Sequence, residues 1–171
     1  MKLKWIVICC GTLLLLAGRA RAAQLFTEKE LSLDLFGTYI APEGKFKDLF
    51  KTNIRNGDWG GGVGFNYFLS KNVGIGGDIN MPANGGSFVD QALGSLTLRA
   101  PLGSSGVAPY VFGGGGRGFD PRWEWFADVG VGLEYRPTHH VGIFIDSRYM
   151  WHFEEGSNDR IFFRAGLRLV L

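Results

Sequence analysis

Apolar and polar residues alternate along the last segment of the chain, and this period of two constrains the fold more than any other feature. From Ile161 to Leu171 every second residue is apolar, and Arg164, Gly166 and Arg168 lie between them. Side chains two positions apart point to the same face of a β-strand. The segment is therefore predicted to be a strand with one apolar and one polar face, and similar alternation recurs in earlier segments.

The alternating segments number eight, and each has about ten residues, the length a tilted strand needs to cross the hydrocarbon layer of a membrane. Long and short connections alternate between them, as in outer-membrane barrels, where short turns face the periplasm. We therefore expect an all-β fold, an eight-stranded antiparallel up-and-down transmembrane β-barrel. Its predicted strands are 31–42, 59–70, 73–82, 92–102, 107–118, 126–137, 141–151 and 161–171.

The beginning of the chain has the composition of a secretory signal peptide. Lysines precede an apolar run, and small residues follow it at the A-x-A cleavage positions. We predict a signal peptide over residues 1–22 and an outer-membrane β-barrel domain over residues 23–171. Because Cys9 and Cys10 lie in the leader, the mature chain is expected to have no disulfide and no thiolate site.

Removal of this leader changes the sign of the net charge. It takes away four of the 18 lysines and arginines and none of the 16 acidic residues, so the formal charge moves from +2 to −2. A weakly acidic mature chain gives no support to nucleic acid as a partner.

The two faces of the predicted strands differ in bulk, and this difference indicates which face meets lipid. Bulky apolar side chains would overfill the narrow interior of an eight-stranded barrel, whereas the glycine-rich polar face would fit it. We therefore assign residues such as Leu35 and Ile145, together with Tyr110 and Phe112, to the lipid-facing surface. A soluble carrier of apolar ligands would need the opposite assignment. Aromatic girdles are predicted at the two membrane interfaces, with Tyr39, Trp59, Trp123, Trp125, Tyr149 and Trp151 at one and Tyr67, Tyr110 and Tyr135 at the other.

Charged residues on the polar face balance each other, and every base among them is arginine. The planar guanidinium bridges two carboxylates and keeps its charge when buried. We predict a structural network of ion pairs that fills the barrel, with a gate or proton path as the alternative role. Its predicted members are Asp34, Asp78, Asp128, Glu134, Asp146, Arg99, Arg136, Arg148, Arg164 and Arg168.

Glycine and aromatic residues recur together in Trp59–Tyr67, Ala108–Gly116, Val129–Arg136 and Val141–Tyr149. With the terminal strand, these segments resemble the small outer-membrane β-barrel proteins related to the OmpA transmembrane domain and OmpX. The resemblance covers essentially the whole mature chain. It implies a monomer in the cell outer membrane of a Gram-negative-type envelope, in contact with outer-membrane lipid and lipopolysaccharide. Barrel-assembly machinery and periplasmic chaperones are its implied folding partners.

The resemblance also implies an assembly signal at the end of the chain, of the form polar-x-Gly-x-x-apolar-x-aromatic. Arg164, Gly166 and Leu169 match the first three defined positions, and Leu171 replaces the usual aromatic residue. This departure is expected to weaken recognition by the assembly machinery without changing the fold.

A lipid A deacylase in the same family uses a histidine and a serine with an acidic partner. Here His152, Ser157 and either Glu154 or Glu155 have the right chemistry, but the His-x-Ser spacing of the deacylase is missing. We therefore expect no catalytic residue, and a lipid-modifying enzyme of this type remains an alternative.

Metal and cofactor binding are not expected. His139 and His140 lie in a short turn without a third ligand nearby, and the acidic residues around His152 are interpreted as a solvated loop that includes Asp159. The run Gly113–Gly116 lacks the Lys-Ser/Thr that follows a phosphate loop.

The first long connection contains an amphipathic turn, formed by Phe46, Leu49 and Phe50 beside lysines. Such a turn is suited to the outer leaflet, where lysines meet lipopolysaccharide phosphates, although an ordinary loop is an equal interpretation. The sequence as a whole predicts a non-enzymatic outer-membrane barrel with a plugged polar interior, acting in envelope integrity or surface interaction. A narrow channel is a further alternative.

Overall fold

Eight antiparallel strands close into a barrel in a computed structural model of the chain. The structure describes residues 25–41, 58–82, 89–119, 123–154 and 159–171. Within these ranges no helix is long and apolar enough to cross a membrane. The strands are β1 (Glu30–Ile40), β2 (Asp58–Phe68), β3 (Val73–Pro82), β4 (Gln91–Arg99), β5 (Val107–Gly118), β6 (Glu124–Tyr135), β7 (Val141–His152) and β8 (Arg160–Val170).

Each strand pairs with its neighbours in the chain, and β1 also pairs with β8. The pairing is antiparallel throughout. Because the pairing of β1 with β8 closes the sheet, it has no unpaired edge. This arrangement confirms the predicted fold class, and the strand ends differ from the predicted ones by only a few residues. The predicted signal peptide lies outside the described residues and stays a prediction.

The two ends of the barrel differ in the length of their connections. We call the end with the turns 69–72, 100–106 and 136–140 the short-turn end, and the opposite one the long-loop end. The short turns are shaped locally: the Ser70 hydroxyl accepts hydrogen bonds from the backbone N–H groups of Asn72 and Val73, at 3.3 and 3.1 Å.

The outer surface of the barrel is apolar, and its interior is largely polar. Leu35 and Ile145 are each 61% exposed on the outside, whereas the side chains of Arg136 and Arg148 are buried inside. A surface of this kind is stable in lipid, not in water. The face assignment of the soluble-carrier alternative is the reverse of the one observed.

The assignment of Tyr110 and Phe112 to the lipid-facing surface was wrong. Both side chains point into the barrel and are 4% and 5% exposed. In β5 the two faces are similarly apolar, since Pro109 and Val111 lie on the outside, so alternation does not distinguish them. The inward orientation is possible because Gly132 and Gly130 of β6 lie directly opposite the two rings. Tyr110 therefore takes no part in an aromatic girdle.

Candidate functional site

The strand register places opposite charges side by side inside the barrel. Asp34 of β1 lies directly opposite Arg168 of β8, and Asp146 of β7 lies directly opposite Arg164 of β8. Cross-strand neighbours are close enough for their side chains to pair. Inward-facing charges on other strands extend these two pairs into two clusters, one above the other along the barrel axis.

The first cluster, which we call the short-turn cluster, consists of Glu30, Asp34, Arg99, Glu134, Arg136 and Arg168. The Arg168 guanidinium donates to both oxygens of Asp34, at 2.8 and 2.7 Å, and also to Glu134. Arg136 donates to both oxygens of Glu30, at 2.7 and 2.6 Å, and its Nε donates to Glu134. Three carboxylates thus face three guanidinium groups, and two of the contacts are bidentate.

Glu30 is a member of this cluster that the sequence did not single out. It is the first residue of β1, just before the predicted strand, and its carboxylate also accepts a hydrogen bond of 2.9 Å from Arg99. The signal for it was present, because Glu30 lies four positions before Asp34 and therefore on the same strand face.

Arg136 lies just after β6, at the short-turn end, and remains charged there. Burial by itself would lower its pKa, but the hydrogen bond to Glu30 and the charge of Glu134 outweigh that effect. The pKa of Arg136 is therefore raised above its ordinary value.

The second cluster, which we call the central cluster, consists of Asp78, Asp128, Asp146, Arg148 and Arg164. Arg164 donates to both oxygens of Asp146, at 2.7 and 2.8 Å, and to Asp78 at 2.8 Å. Arg148 donates to both oxygens of Asp78, at 3.2 and 2.7 Å. The Tyr110 hydroxyl donates to Asp146 at 2.8 Å, so Asp146 accepts three hydrogen bonds.

Asp128 is the weakly held member of the central cluster. Its carboxylate lies 3.0 Å from Nε of Arg148, but neither of its oxygens accepts an aligned hydrogen bond. The central cluster has three carboxylates and only two guanidinium groups. The cluster therefore has one excess negative charge, and we assign it to Asp128.

Aromatic rings separate the buried arginines, and each guanidinium lies against at least one ring. Arg164 lies over Phe36 and Phe112 at 4.9 and 5.4 Å, and Arg99 lies over Phe68 at 3.5 Å. Such contacts stabilise a cation that has lost its water. Inward-facing glycines provide the room for these rings. A Cβ atom at Gly130, for example, would overlap the Phe112 ring and lie 2.6 Å from the carbonyl oxygen of Ser147.

An apolar layer lies inside the barrel at the long-loop end. Leu93, Phe126, Met150 and Phe162 are buried there in one cluster, against which Ile40 packs. Below it, the cavity between the charged side chains of the barrel measures about 20 Å³. A space of this size holds about one water molecule.

The short-turn end is covered by the segment that precedes β1. Phe26 of this segment is 4% exposed and lies beneath the guanidinium groups of Arg99 and Arg136, at 4.9 and 4.4 Å. The same two arginines donate to the backbone carbonyls of Thr27 and Leu25, at 3.3 and 2.8 Å. The short-turn cluster therefore holds the segment in place by contacts with both its ring and its backbone.

The residues considered for lipid hydrolysis are only partly described. His152 ends β7 with Nε2 at 3.4 Å from Glu124 and its ring against Phe126. Glu154 is exposed beyond the strand. Glu155 and Ser157 lie outside the described residues, so the structure does not test the predicted histidine–serine pair.

The other candidate ligands do not converge. His139 and His140 are exposed in the turn between β6 and β7. Asp159 accepts a hydrogen bond of 2.6 Å from Tyr149. Within the described ranges, no three histidine, cysteine or acidic side chains are grouped as a metal site requires. The amphipathic turn around Phe46 lies outside these ranges.

The residues of the predicted assembly signal lie on both faces of β8. Arg164 and Gly166 face the interior, where Gly166 lies against Cβ of Phe36 and the ring of Phe144. Leu169 and Leu171 face outward. Recognition of this segment by assembly machinery stays a prediction.

A closed barrel with an apolar outer surface and a charged interior defines a transmembrane β-barrel. Solved structures of small outer-membrane barrels share this fold. The N-terminal β-barrel domain of Pseudomonas aeruginosa OprF matches with a TM-score of 0.55 and 17% identity, over 85% of this chain and 99% of that one. Neisserial surface protein A matches with a TM-score of 0.56 and 15% identity, over 82% and 95%.

The attachment invasion locus protein Ail of Yersinia pestis, solved with the heparin analogue sucrose octasulfate, also matches. Its TM-score is 0.53 and its identity 13%, over 84% of this chain and 99% of that one. No protein-family model matches the chain, and no curated protein sequence matches it either. At these identities the likeness concerns the fold, and it confirms the fold that the sequence resemblance implied.

Proposed function

We propose that this protein is a non-enzymatic barrel of the outer membrane whose closed interior serves as a rigid support for its outward loops. Its role would be in envelope integrity or surface interaction, not in transport. The observation that carries the proposal is that paired charges and aromatic rings crowd the described part of the interior, where the cavity between the charged side chains measures about 20 Å³.

Three successive layers support a closed interior. The apolar layer around Phe126 and Met150 lies at the long-loop end, the two charged clusters occupy the middle, and Phe26 covers the short-turn end. An ion that crossed would have to lose its water in the apolar layer and separate bidentate ion pairs in the middle. Both steps are unfavourable in a medium of low dielectric constant.

The location is supported by the apolar outer surface, by the fold shared with outer-membrane proteins, and by the predicted signal peptide. In this orientation the short-turn end faces the periplasm and the long-loop end faces outward. The segments most free to differ in chemistry are then the loops at the outward end, which is where surface partners would bind.

Conductance across planar bilayers tests the closed interior. We expect the refolded protein to produce no current steps above those of the bilayer alone. The variant Leu93→Ala/Phe126→Ala/Met150→Ala/Arg148→Ala/Arg164→Ala, which removes side chains from the apolar layer and the central cluster, serves as the control and should conduct if it folds. Regular steps with the unaltered protein would contradict the proposal in favour of a narrow channel.

The non-enzymatic part of the proposal is tested by mass spectra of outer-membrane lipids from cells with and without the protein. We expect the same acyl-chain pattern in both. An acyl chain that is lost in the presence of the protein, and retained with the His152→Ala variant, would establish the enzyme instead.

A further inference from the structure

Arg117 differs from the buried arginines of the interior, each of which pairs with a carboxylate. It lies near the end of β5 at the long-loop end, directly opposite Trp125 of β6. Among the described residues no ion pair to Arg117 is formed, and its Nε is buried without a hydrogen-bond acceptor. The residue is thus a half-buried cation whose donors are not used by the described part of the chain.

Two tryptophan rings contact the Arg117 guanidinium. The guanidinium carbon lies 4.5 Å from the centre of the Trp123 ring and 5.2 Å from that of Trp125. Trp123 in turn packs edge-on against Phe119, at 5.9 Å. Contact with aromatic faces orients a planar cation but takes up none of its hydrogen-bond donors. The rings therefore place the guanidinium without neutralising it.

The position of this group relative to the membrane is defined by its aromatic neighbours. Trp123 and Trp125 are 63% and 58% exposed on the outer surface, at the strand ends where aromatic girdles meet the headgroup level. Ala92, the neighbour of Arg117 on β4, has only a methyl side chain. The guanidinium thus lies at the surface that faces lipid, at the depth of the headgroups.

We propose that Arg117, Trp123 and Trp125 form a binding site for the phosphate group of an outer-leaflet lipid, the chemistry found in lipid A. The guanidinium fork matches two phosphate oxygens, and the contact would be a charge-assisted hydrogen-bond pair. The indole rings would pack beside the acyl chains or sugar rings of the same molecule. This inference rests on the proposed outward orientation of the long-loop end.

The position of the site, on the outer surface at the depth of the headgroups, favours a membrane lipid over a free anion. A free phosphate ion would leave water to reach a guanidinium flanked by apolar rings, whereas a lipid phosphate is already held at this depth. Each lipid is also present at high local concentration in its leaflet, which favours binding through a single bidentate contact.

Titration of the folded protein with a defined lipid tests the site. The protein without its predicted leader is kept in neutral detergent micelles, with Trp59 and Trp151 changed to phenylalanine so that Trp123 and Trp125 report by fluorescence. The probes are a synthetic phosphorylated lipid A, the same lipid without phosphates, and inorganic phosphate. We expect saturable binding of the phosphorylated lipid alone.

The variants Arg117→Gln and Arg117→Lys locate the effect, and Arg160→Gln is the matched control because Arg160 is a basic residue at the same end of the barrel. We expect about tenfold weaker binding with Arg117→Gln, a smaller loss with Arg117→Lys, and a change below about twofold with Arg160→Gln. Gel mobility without boiling verifies that each variant is folded. If Arg117→Gln does not fold, the affinity of the folded Arg117→Lys variant for the phosphorylated lipid is the test of the site.

Equal binding of the phosphorylated lipid by unaltered protein and both Arg117 variants would overturn the site. Equal binding of the lipid without phosphates would overturn the role of phosphate, and saturation by inorganic phosphate at the same concentration would overturn the choice of a lipid. None of these results concerns the closed interior, which the conductance measurement tests separately.

Discussion

Arginine is the residue on which the interior of this barrel depends, because its planar group has two separate uses. Its edges donate to carboxylates in pairs, and its faces lie against aromatic rings. Lysine offers a point charge without such a face and shifts its pKa readily when buried. The absence of lysine from the predicted network therefore follows from the chemistry of a narrow interior.

The variant Arg148→Ala tests how strongly the central cluster stabilises the barrel. Arg148 forms ion pairs with both Asp78 and Asp128, and its removal leaves these buried carboxylates without this partner. We expect the free energy of unfolding to fall by about 3–5 kcal/mol, as for other buried ion pairs that lose one partner. Urea unfolding in lipid vesicles measures it, with Arg160→Ala as the control. An unchanged midpoint for Arg148→Ala would show that the cluster does not stabilise the fold.

A comparison of Asp128→Asn with Asp146→Asn tests the charge imbalance of the central cluster. Asp146 accepts three hydrogen bonds, whereas Asp128 accepts none that is aligned. We expect Asp146→Asn to lower the free energy of unfolding by about 3–5 kcal/mol. Asp128→Asn removes an excess charge, and its effect should lie within about 1 kcal/mol of zero. Equal losses of unfolding free energy in the two variants would show that Asp128 does not carry the excess charge of the central cluster.

At the scale of the strands, several inward-facing rings of the barrel are matched with a glycine on a neighbouring strand. Phe68 lies against Gly74, Phe112 against Gly130 and Tyr110 against Gly132. Glycine by itself weakens a strand, so its frequency here is explained by packing. The inward-facing glycines therefore provide the space that the inward-facing aromatic rings occupy.

The pair Gly130→Ala and Gly37→Ala tests this arrangement, since only one of the two glycines faces a ring. A Cβ at Gly130 would overlap Phe112, whereas a Cβ at Gly37 would have no atom within 4 Å. We expect Gly130→Ala to lower the free energy of unfolding by about 1–3 kcal/mol through overpacking. Gly37→Ala should leave it unchanged or raise it slightly. Urea midpoints of the two variants, measured side by side, decide; the opposite order would disprove the packing argument.

At the scale of the whole molecule, closure joins segments that are far apart in the chain. The segment before β1 reaches under the barrel and contacts Arg99 of β4 and Arg136 after β6. The described N-terminal residues therefore pack against buried arginines at the short-turn end. The first described residues, which begin soon after the predicted cleavage site, therefore contribute to the structure of the barrel.

The variant Phe26→Ala tests the closure of the short-turn end. Loss of this ring removes the aromatic contact of Arg136 and one of the two aromatic contacts of Arg99. We expect faster proteolysis within the segment before β1 and a loss of stability of about 3 kcal/mol. Phe153→Ala is the control, because Phe153 is 68% exposed at the other end. Identical digestion of the two variants and the unaltered protein would show that Phe26 does not hold the segment.

Much of the fold was predictable from local pattern, because the period of two and the loop lengths depend on residues close in sequence. The strands follow from alternation, and the lipid-facing side of most of them follows from the difference in bulk between the two faces. Tyr110 and Phe112 were assigned to the wrong side because β5 is apolar on both faces. There the orientation depends on Gly130 and Gly132, which belong to another strand.

The sequence by itself determined the number of strands, the composition of the two faces and the charges on the inner one. The tertiary structure decided which of these charges meet, because partners such as Glu30 and Arg99 lie on strands that become neighbours across the interior only when the barrel closes. It also decided that Phe26 contacts buried arginines at the short-turn end and that Arg117 contacts two tryptophans. Closure and register are properties of the whole sheet, and no local pattern contains them.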